Sequence, residues 1–285
     1  MKRGQSLKIY LMDGDATGKW SCVLSGKTTK AFKVPRTHYK SCVDIAELRG
    51  TAVYLLFGED VDTDRPVVYV GETEDAYKRL DEHNKSEEKD YWTEAIVFVS
   101  QDNHFNKAHI KYLESRFYEI ALEVDRYTVM NVKPPTKSTL APDEVDEMED
   151  FIDNAKIITI ALGYKVFEPL RGLNESISDD EVHPEMLYIK TKNGINASGF
   201  VSPEGFVVCK GSIVKSSIHA KSAPKGAIKR REKLIADGTI VDDTFVRDTL
   251  FSSPTSASDL IMGNNTSGPR EWKNDKGISL RDLDI

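Results

Sequence analysis

Cysteine is scarce and ill placed. Cys22, Cys42 and Cys209 are the three in 285 residues; they stand far apart and form no CxxC. An odd total with such spacing excludes a disulfide framework and a thiolate zinc site, and leaves reduced, inert thiols. The histidines show no HExxH and no metal-type spacing with cysteine. No apolar run approaches the roughly 20 residues of a membrane span. "LKIYLM", after Lys2 and Arg3, is too short for a secretory core, and Asp13 soon follows, so a cytoplasmic chain is expected. Positive charge is also in deficit. The net charge is −7, which argues against a general nucleic-acid binder. Internal repeats and low-complexity tracts are missing.

What is present is a globular composition, 39% hydrophobic and 30% charged, with length for two modest domains. The charge is uneven. "APDEVDEMED" (141–150) holds six acids and no base, whereas Lys190 to Lys233 holds ten Lys/Arg against Glu204 and Glu232. That basic stretch reads either as a solvated face or as a surface that meets phosphates.

Four parts follow from the patterning, and the expected class is α+β. Residues 1–50 read as a strand-rich lead-in: strands at "SLKIYLM", "KWSCVLS" and "KAFKVP", then a helix "RTHYKSCVDIAELRG" with Thr37 as N-cap and Gly50 as stop. Residues 51–137 alternate. "TAVYLLFG" and "PVVYVG" form a hairpin across the acidic loop 59–65. A helix opens at Thr73, "EAIVFVS" is a third strand, and 106–124 is a long helix with a stripe of Ile110, Leu113, Phe117, Ile120 and Ala121. Tandem proline at 134–135 ends the unit. Residues 138–185 are a connection made of an acidic helix, a short apolar strand or helix at 156–167, and a polar loop at 171–185. Residues 186–285 form a second, mixed α/β domain, with a hairpin at 196–212, a basic helix ending at Gly238, and a helix with Ser253 as N-cap, Pro254 at N1 and Gly263 as C′.

Two motifs fail. "GDATGK" has one residue too few between its glycines for a phosphate loop, and Trp20 stands where a hydroxyl must be. As a calcium loop, "DGDATG" lacks the twelfth-position Glu, because Leu24 is there. Both read as turns.

One constellation survives. Tyr54 in "AVYLL" and Tyr69 in "YVG" can share a face of the hairpin. Gly71 lets a backbone come close, which makes it a nucleic-acid contact candidate. Arg79 and His83 are i, i+4 and share a helix face. Glu114 lies beside the apolar stripe of the long helix, and Asn131 sits in the closing "MNVKPP". Taken singly these are strand aromatics, a surface cation and a partner for Lys111. Together, in this order and spacing, they resemble the GIY-YIG nuclease family: Tyr54, Tyr69-Val70-Gly71, Arg79, His83, Glu114, Asn131. "AVY" stands for Gly-Ile-Tyr and "YVG" for Tyr-Ile-Gly. Residues 199–285 similarly resemble an uncharacterised domain that often follows GIY-YIG modules, through "GFVVCKGS", "FSSPTSASDLIMG" and "REWKN".

The resemblance implies a small three-stranded antiparallel sheet flanked by helices, and a metal-dependent endonuclease acting on DNA. Glu114 would hold one divalent cation, Mg2+ or Mn2+, whose preference for oxygen ligands and retained waters suits a single carboxylate. Tyr54 resembles the family's general base or water-positioning group. Arg79 would grip the scissile phosphate, His83 orient Tyr54 or relay its proton, Tyr69 bond the phosphate or water, and Asn131 brace the site. One such site cuts one strand, so a duplex break needs a homo-oligomer or a second event. Lys229, Arg230 and Arg231 are the candidate DNA contacts of the basic region. Two other readings stand beside this one: a nucleic-acid-binding module that does not cut, and a protein-interaction adaptor using the acidic helix. No membrane partner is expected.

Overall fold

Strand β4 (Ala52–Glu59) is buried on both faces, which is why it reads as a continuous apolar run rather than an alternation. Val53, Leu55 and Phe57 enter one core; Ala52, Tyr54 and Leu56 enter another on the opposite side. In the computed structural model, which describes residues 4–60, 65–170, 184–192, 194–215 and 222–283, this strand is central to the first of two units, Met1–Pro169 and Leu170–Ile285. Part of the loop expected at 59–65, most of that at 171–185, and Lys2 and Arg3 lie outside the described residues.

The first unit is built on one seven-stranded sheet. Its strands are β1 (Leu7–Leu11), β2 (Trp20–Leu24), β3 (Thr29–Pro35), β4, β5 (Pro66–Thr73), β6 (Trp92–Ser100) and β7 (Thr128–Val129). The order is β1-β2-β3-β6-β4-β5-β7, antiparallel throughout except where β7 runs parallel to β5. The three-stranded sheet expected for 51–137 is therefore the β6-β4-β5 portion of a larger one. The lead-in strands belong to the same sheet, because β3 pairs with β6 along its whole length.

Helices close the two faces. On one side lie α2 (Lys107–Val124), capped by Asn106, and α3 (Pro142–Ala161). The stripe from Ile110 to Ala121 is buried there as its spacing requires. The acidic helix and the first residues of the apolar segment after it prove to be one helix, α3. Phe151, Ile152, Ala155 and Ile158 pack against the first core, so α3 is part of the unit rather than a connection. On the other side lie α1 (Ala76–Lys85) and two 3₁₀ turns, Arg36–Cys42 and Ala46–Arg49. A single helix over 36–50 does not form. Val43 and Ile45 are β-branched, Ile45 is extended, and the segment's reward is to bury Tyr39, Cys42 and Leu48. The N-cap of α1 is Asp75, which accepts from the Lys78 N–H, rather than Thr73, whose hydroxyl accepts from the Asp75 N–H.

The second unit has a four-stranded sheet in the order β13-β10-β9-β8. Its strands are β8 (Leu187–Lys190), β9 (Asn196–Ser202), β10 (Gly205–Val208) and, after helix α4 (Lys225–Ala236) and the short pair β11 (Ile240–Val241) and β12 (Thr244–Phe245), β13 (Thr249–Phe251). The expected β9-β10 hairpin is present. Helix α5 (Pro254–Met262) has Ser253 as N-cap and Gly263 in the left-handed region at φ 68°. Phe206 and Trp272 pack at a tilt in the core, 4.5 Å between centroids.

Among the described residues no helix is long and apolar enough to cross a membrane. Cys22, Cys42 and Cys209 are unpaired, and burial pushes each thiol up to about 11, in keeping with inert cysteines. The "DGDATGK" loop closes on itself, with Asp13 accepting from the Lys19 backbone and ammonium.

Candidate active site

Tyr54 stands directly across from Gly71 in the β4-β5 ladder. A Cβ at position 71 would lie 2.3 Å from the Tyr54 hydroxyl oxygen. Gly71 is itself buried. Its bareness makes room for the Tyr54 hydroxyl, and the expectation that it admits a nucleic-acid backbone is corrected on that ground.

Helix α1 delivers two groups to the same hydroxyl. Ala76 and Leu80 anchor the helix in the second core. Arg79 and His83, one turn apart, then reach Tyr54: Arg79 Nε is 3.1 Å and His83 Nε2 2.6 Å from its oxygen. The direction of these bonds follows from chemistry. A guanidinium can only donate, so Tyr54 accepts from Arg79 and gives its one proton to His83 Nε2. His83 must then be neutral. It is: burial, followed by the positive charges of Lys89 and Arg79, lowers its pKa to about 3. Burial, with Tyr69 beside it, pushes the Tyr54 phenol well above its ordinary range against the pull of Arg79. Tyr54 is 1% exposed and His83 3%. The Tyr69 ring completes the cluster, 6.3 Å from Tyr54 and 5.4 Å from His83 between centroids.

Glu114 arrives from the other face, round an uncovered strand edge. Strand β7 pairs with β5 over two residues only. Past that point the outward groups of β5 find other partners in succession. Val68 C=O accepts from Met130 N–H. Val70 N–H donates to the Asn131 side-chain oxygen at 3.0 Å, and the Asn131 amide donates back to Val70 C=O at 2.8 Å. The Glu72 N–H lies near the Glu114 carboxylate and favours its charged form. Asn131 thus extends the ladder by one rung. Burial, then the Glu72 charge, raises Glu114 to about 7. Lys107 stands by, its ammonium 2.8 Å from Glu72 and 3.7 Å from Glu74.

This donor set fits a hard divalent cation. Glu114 is a half-buried carboxylate whose ionisation is opposed by burial and by the Glu72 charge, and it offers oxygen; no group of three or more His, Cys, Asp or Glu suited to a metal occurs among the described residues. A cation that keeps most of its waters needs no more.

Tyr54, Tyr69, Arg79, His83 and Glu114 therefore meet at one place, with Asn131 supporting it from the β5 edge. The basic-region candidates lie in the second unit. Lys229 and Arg230 are exposed on α4. Arg231 is 4% exposed and its guanidinium bonds Asp243 at 2.9 Å, so it is a buried cation turned to a carboxylate of its own unit, and its assignment as a DNA contact is corrected. Sequence reasoning missed Glu72, Lys89, Lys107 and Glu82, which holds Arg79 at 2.8 Å. Adjacency to Gly71 flags Glu72, and i+3 spacing flags Glu82; nothing local flags Lys89 or Lys107.

Residues 51–125 match the family model described as GIY-YIG catalytic domain, and residues 187–284 the one described as Domain of unknown function (DUF4357). The chain thus carries a domain of a nuclease family followed by one without assigned role. No curated protein and no solved structure matches it significantly.

Proposed function

We propose that the GIY-YIG domain of this chain is a magnesium-dependent endonuclease that hydrolyses DNA phosphodiester bonds. One observation carries the reading: a cation, a phenol and a neutral imidazole are hydrogen-bonded in series at Tyr54, beside a half-buried carboxylate at Glu114.

Phosphodiester hydrolysis needs a positioned water, charge neutralisation on the phosphate and a place for the water's proton. The Tyr54 oxygen orients the water, held in line by its hydrogen bond to neutral His83 Nε2, and the water's proton leaves to solvent as the new P–O bond forms. Arg79 binds the scissile phosphate and stabilises the charge that grows on it; Glu82 holds the guanidinium until substrate arrives. Tyr69 bonds the phosphate. Glu114 would hold the metal. When bound, that ion supplies Lewis acidity toward the phosphate oxygens. Asn131 keeps β5 in place. Lys229 and Arg230 contact DNA outside the site.

Supercoiled plasmid tests this. Wild type nicks it with magnesium and stops with EDTA. Glu114→Ala abolishes nicking, and Arg79→Ala slows it on the order of 10²–10³-fold, as for loss of one transition-state donor. If Arg79→Ala cuts at near wild-type rate, the site is misassigned. If wild type cuts no DNA in any divalent metal yet binds it with a steep salt dependence, the chain is the non-cleaving binding module.

A further inference from the structure

We propose that strand β1 is a dimer interface, at which a second copy of this chain adds its own β1 in antiparallel register centred on Ile9. The inference goes beyond the nuclease reading and does not depend on it. Strand β1 opens the order β1-β2-β3-β6-β4-β5-β7, so β2 is its one neighbour in the sheet. Register fixes which of its groups face away. Met12 N–H bonds Lys19 C=O and Ser25 N–H bonds Ser6 C=O, so the even-numbered residues of β1 turn their backbone groups to β2. Leu7, Ile9 and Leu11 turn theirs outward. Leu11 C=O accepts from Gly14 N–H; the three N–H groups and the carbonyls of Leu7 and Ile9 have no partner among the described residues.

Native sheet edges are blunted by shortness, proline, a bulge or inward charge. The opposite edge of this sheet follows that rule, since β7 pairs over two residues only. Strand β1 runs five residues in unbroken register, contains no proline, and exposes apolar side chains: Ile9 is 41% exposed, Tyr10 60% and Leu11 37%. On one face Leu7, Ile9 and Leu11 continue the row of Leu24, Cys22 and Trp20 that meets the first core. Lys8 and Tyr10 lie on the other. A two-fold axis at Ile9 pairs Leu7 with the second copy's Leu11, Ile9 with its Ile9, and Lys8 with its Tyr10. Each aliphatic side chain then meets another, and the one cation of the strand meets an aromatic ring rather than a second cation. Odd residues face odd ones, so the outward N–H and C=O groups fall into hydrogen-bonded pairs. Moving the axis to Lys8 opposes two like charges, and moving it to Tyr10 sets Leu7 against Asp13. A strand that fits its own sequence this way is suited to an isologous contact, which a second copy supplies by symmetry. The seam lies at the opposite edge from β5, away from Tyr54, Arg79 and Glu114, and on the nuclease reading one dimer would carry a site for each strand of a duplex.

Sedimentation velocity of the full chain tests this. A five-residue strand pair is a small interface, so we expect a reversible dimer that grows in as concentration rises from about 1 to about 100 μM. Tyr10→Lys sets cation against cation twice across the seam and should leave the chain monomeric over that range. Tyr10→Glu sets an acid against Lys8 and should keep the dimer. Tyr10 is exposed, so neither change disturbs the core. Cysteine pairs read the register. Lys8 and the second copy's Tyr10 form a non-hydrogen-bonded pair, whose Cα atoms approach to about 4.5 Å, within reach of a disulfide. A mixture of Lys8→Cys and Tyr10→Cys chains in air should cross-link several-fold more than either alone. Wild type that stays monomeric at the top of the range overturns the proposal and leaves the edge to a strand of another protein. A dimer that survives Tyr10→Lys, or mixed cysteine chains that cross-link no better than the single variants, overturns it as well, because the copies then meet elsewhere or in another register.

Discussion

At the scale of single residues, burial sets protonation, and protonation sets what each group can do. His83 falls from an ordinary 6.5 to about 3 and stays neutral, which lets it accept from Tyr54. Glu114 rises from 4.5 to about 7. The two pull stability in opposite senses. A depressed histidine contributes to stability above pH 6.5, and that contribution is lost as pH falls below it. A raised carboxyl contributes fully below pH 4.5 and loses the contribution as pH rises through about 7. In metal-free protein, His83→Gln should therefore remove an acid-side loss and Glu114→Gln a loss approaching neutrality. Urea unfolding at steps from pH 4 to 8 in EDTA reads both. Two variants with the wild-type pH dependence would mean that neither side chain is shielded from water. Most of these residues were legible beforehand, since Tyr54, Tyr69, Arg79, His83 and Glu114 are carried by order and spacing. Lys89 and Lys107 were not, because a cation's role here depends on which ring or carboxylate the fold sets beside it.

At the scale of elements, the informative feature is an unfinished strand edge. Strand β7 stops after two paired residues, and the side chain of Asn131 takes up the Val70 groups left over. Asn131 thus holds β5, and on the proposed nuclease reading it would act on catalysis only through that strand. Asn131→Ala leaves Val70 N–H and C=O without those partners, and each unmet group costs about 1–3 kcal/mol if water cannot reach it. We expect a stability loss of about 1–2 kcal/mol, faster exchange of the Val70 and Glu72 amides, and slowed nicking at unchanged DNA affinity. Exchange confined to its wild-type rate at both amides would show that the edge holds without Asn131. Strands β2 to β6, α2 and α5 follow from apolar period and capping. The 36–50 segment does not, because burial of Tyr39, Cys42 and Leu48 outweighed local preference for a helix.

At the scale of the whole molecule, the recognisable segment is not a self-sufficient folding unit. Strand β6 owes one full edge to β3, from Glu94–Pro35 to Ser100–Thr29, and the first core owes Phe151, Ile152, Ala155 and Ile158 to α3. A fragment of residues 51–137 would expose that edge and half of that core, the conditions for aggregation. We expect it to bind a hydrophobic dye and to unfold without cooperativity. Residues 1–169 should unfold in one transition and keep magnesium-dependent nicking. Cooperative, dye-free unfolding of 51–137 would make the lead-in strands and α3 accessories.

The amino-acid sequence alone determined the class, the positions of most elements and the identity of the side chains that the candidate site brings together, because these rest on period, capping and chemical type, which are local. Tertiary structure decided the rest. It merged the lead-in, the nuclease segment and the acidic helix into one sheet-centred unit, since strand pairing between distant segments leaves no trace in either. It assigned Gly71 to Tyr54 by a cross-strand register and turned Arg231 inward to Asp243. It also brought Glu72, Lys107 and Lys89 to the site, because charges act through space and their spacing along the chain carries no record of it.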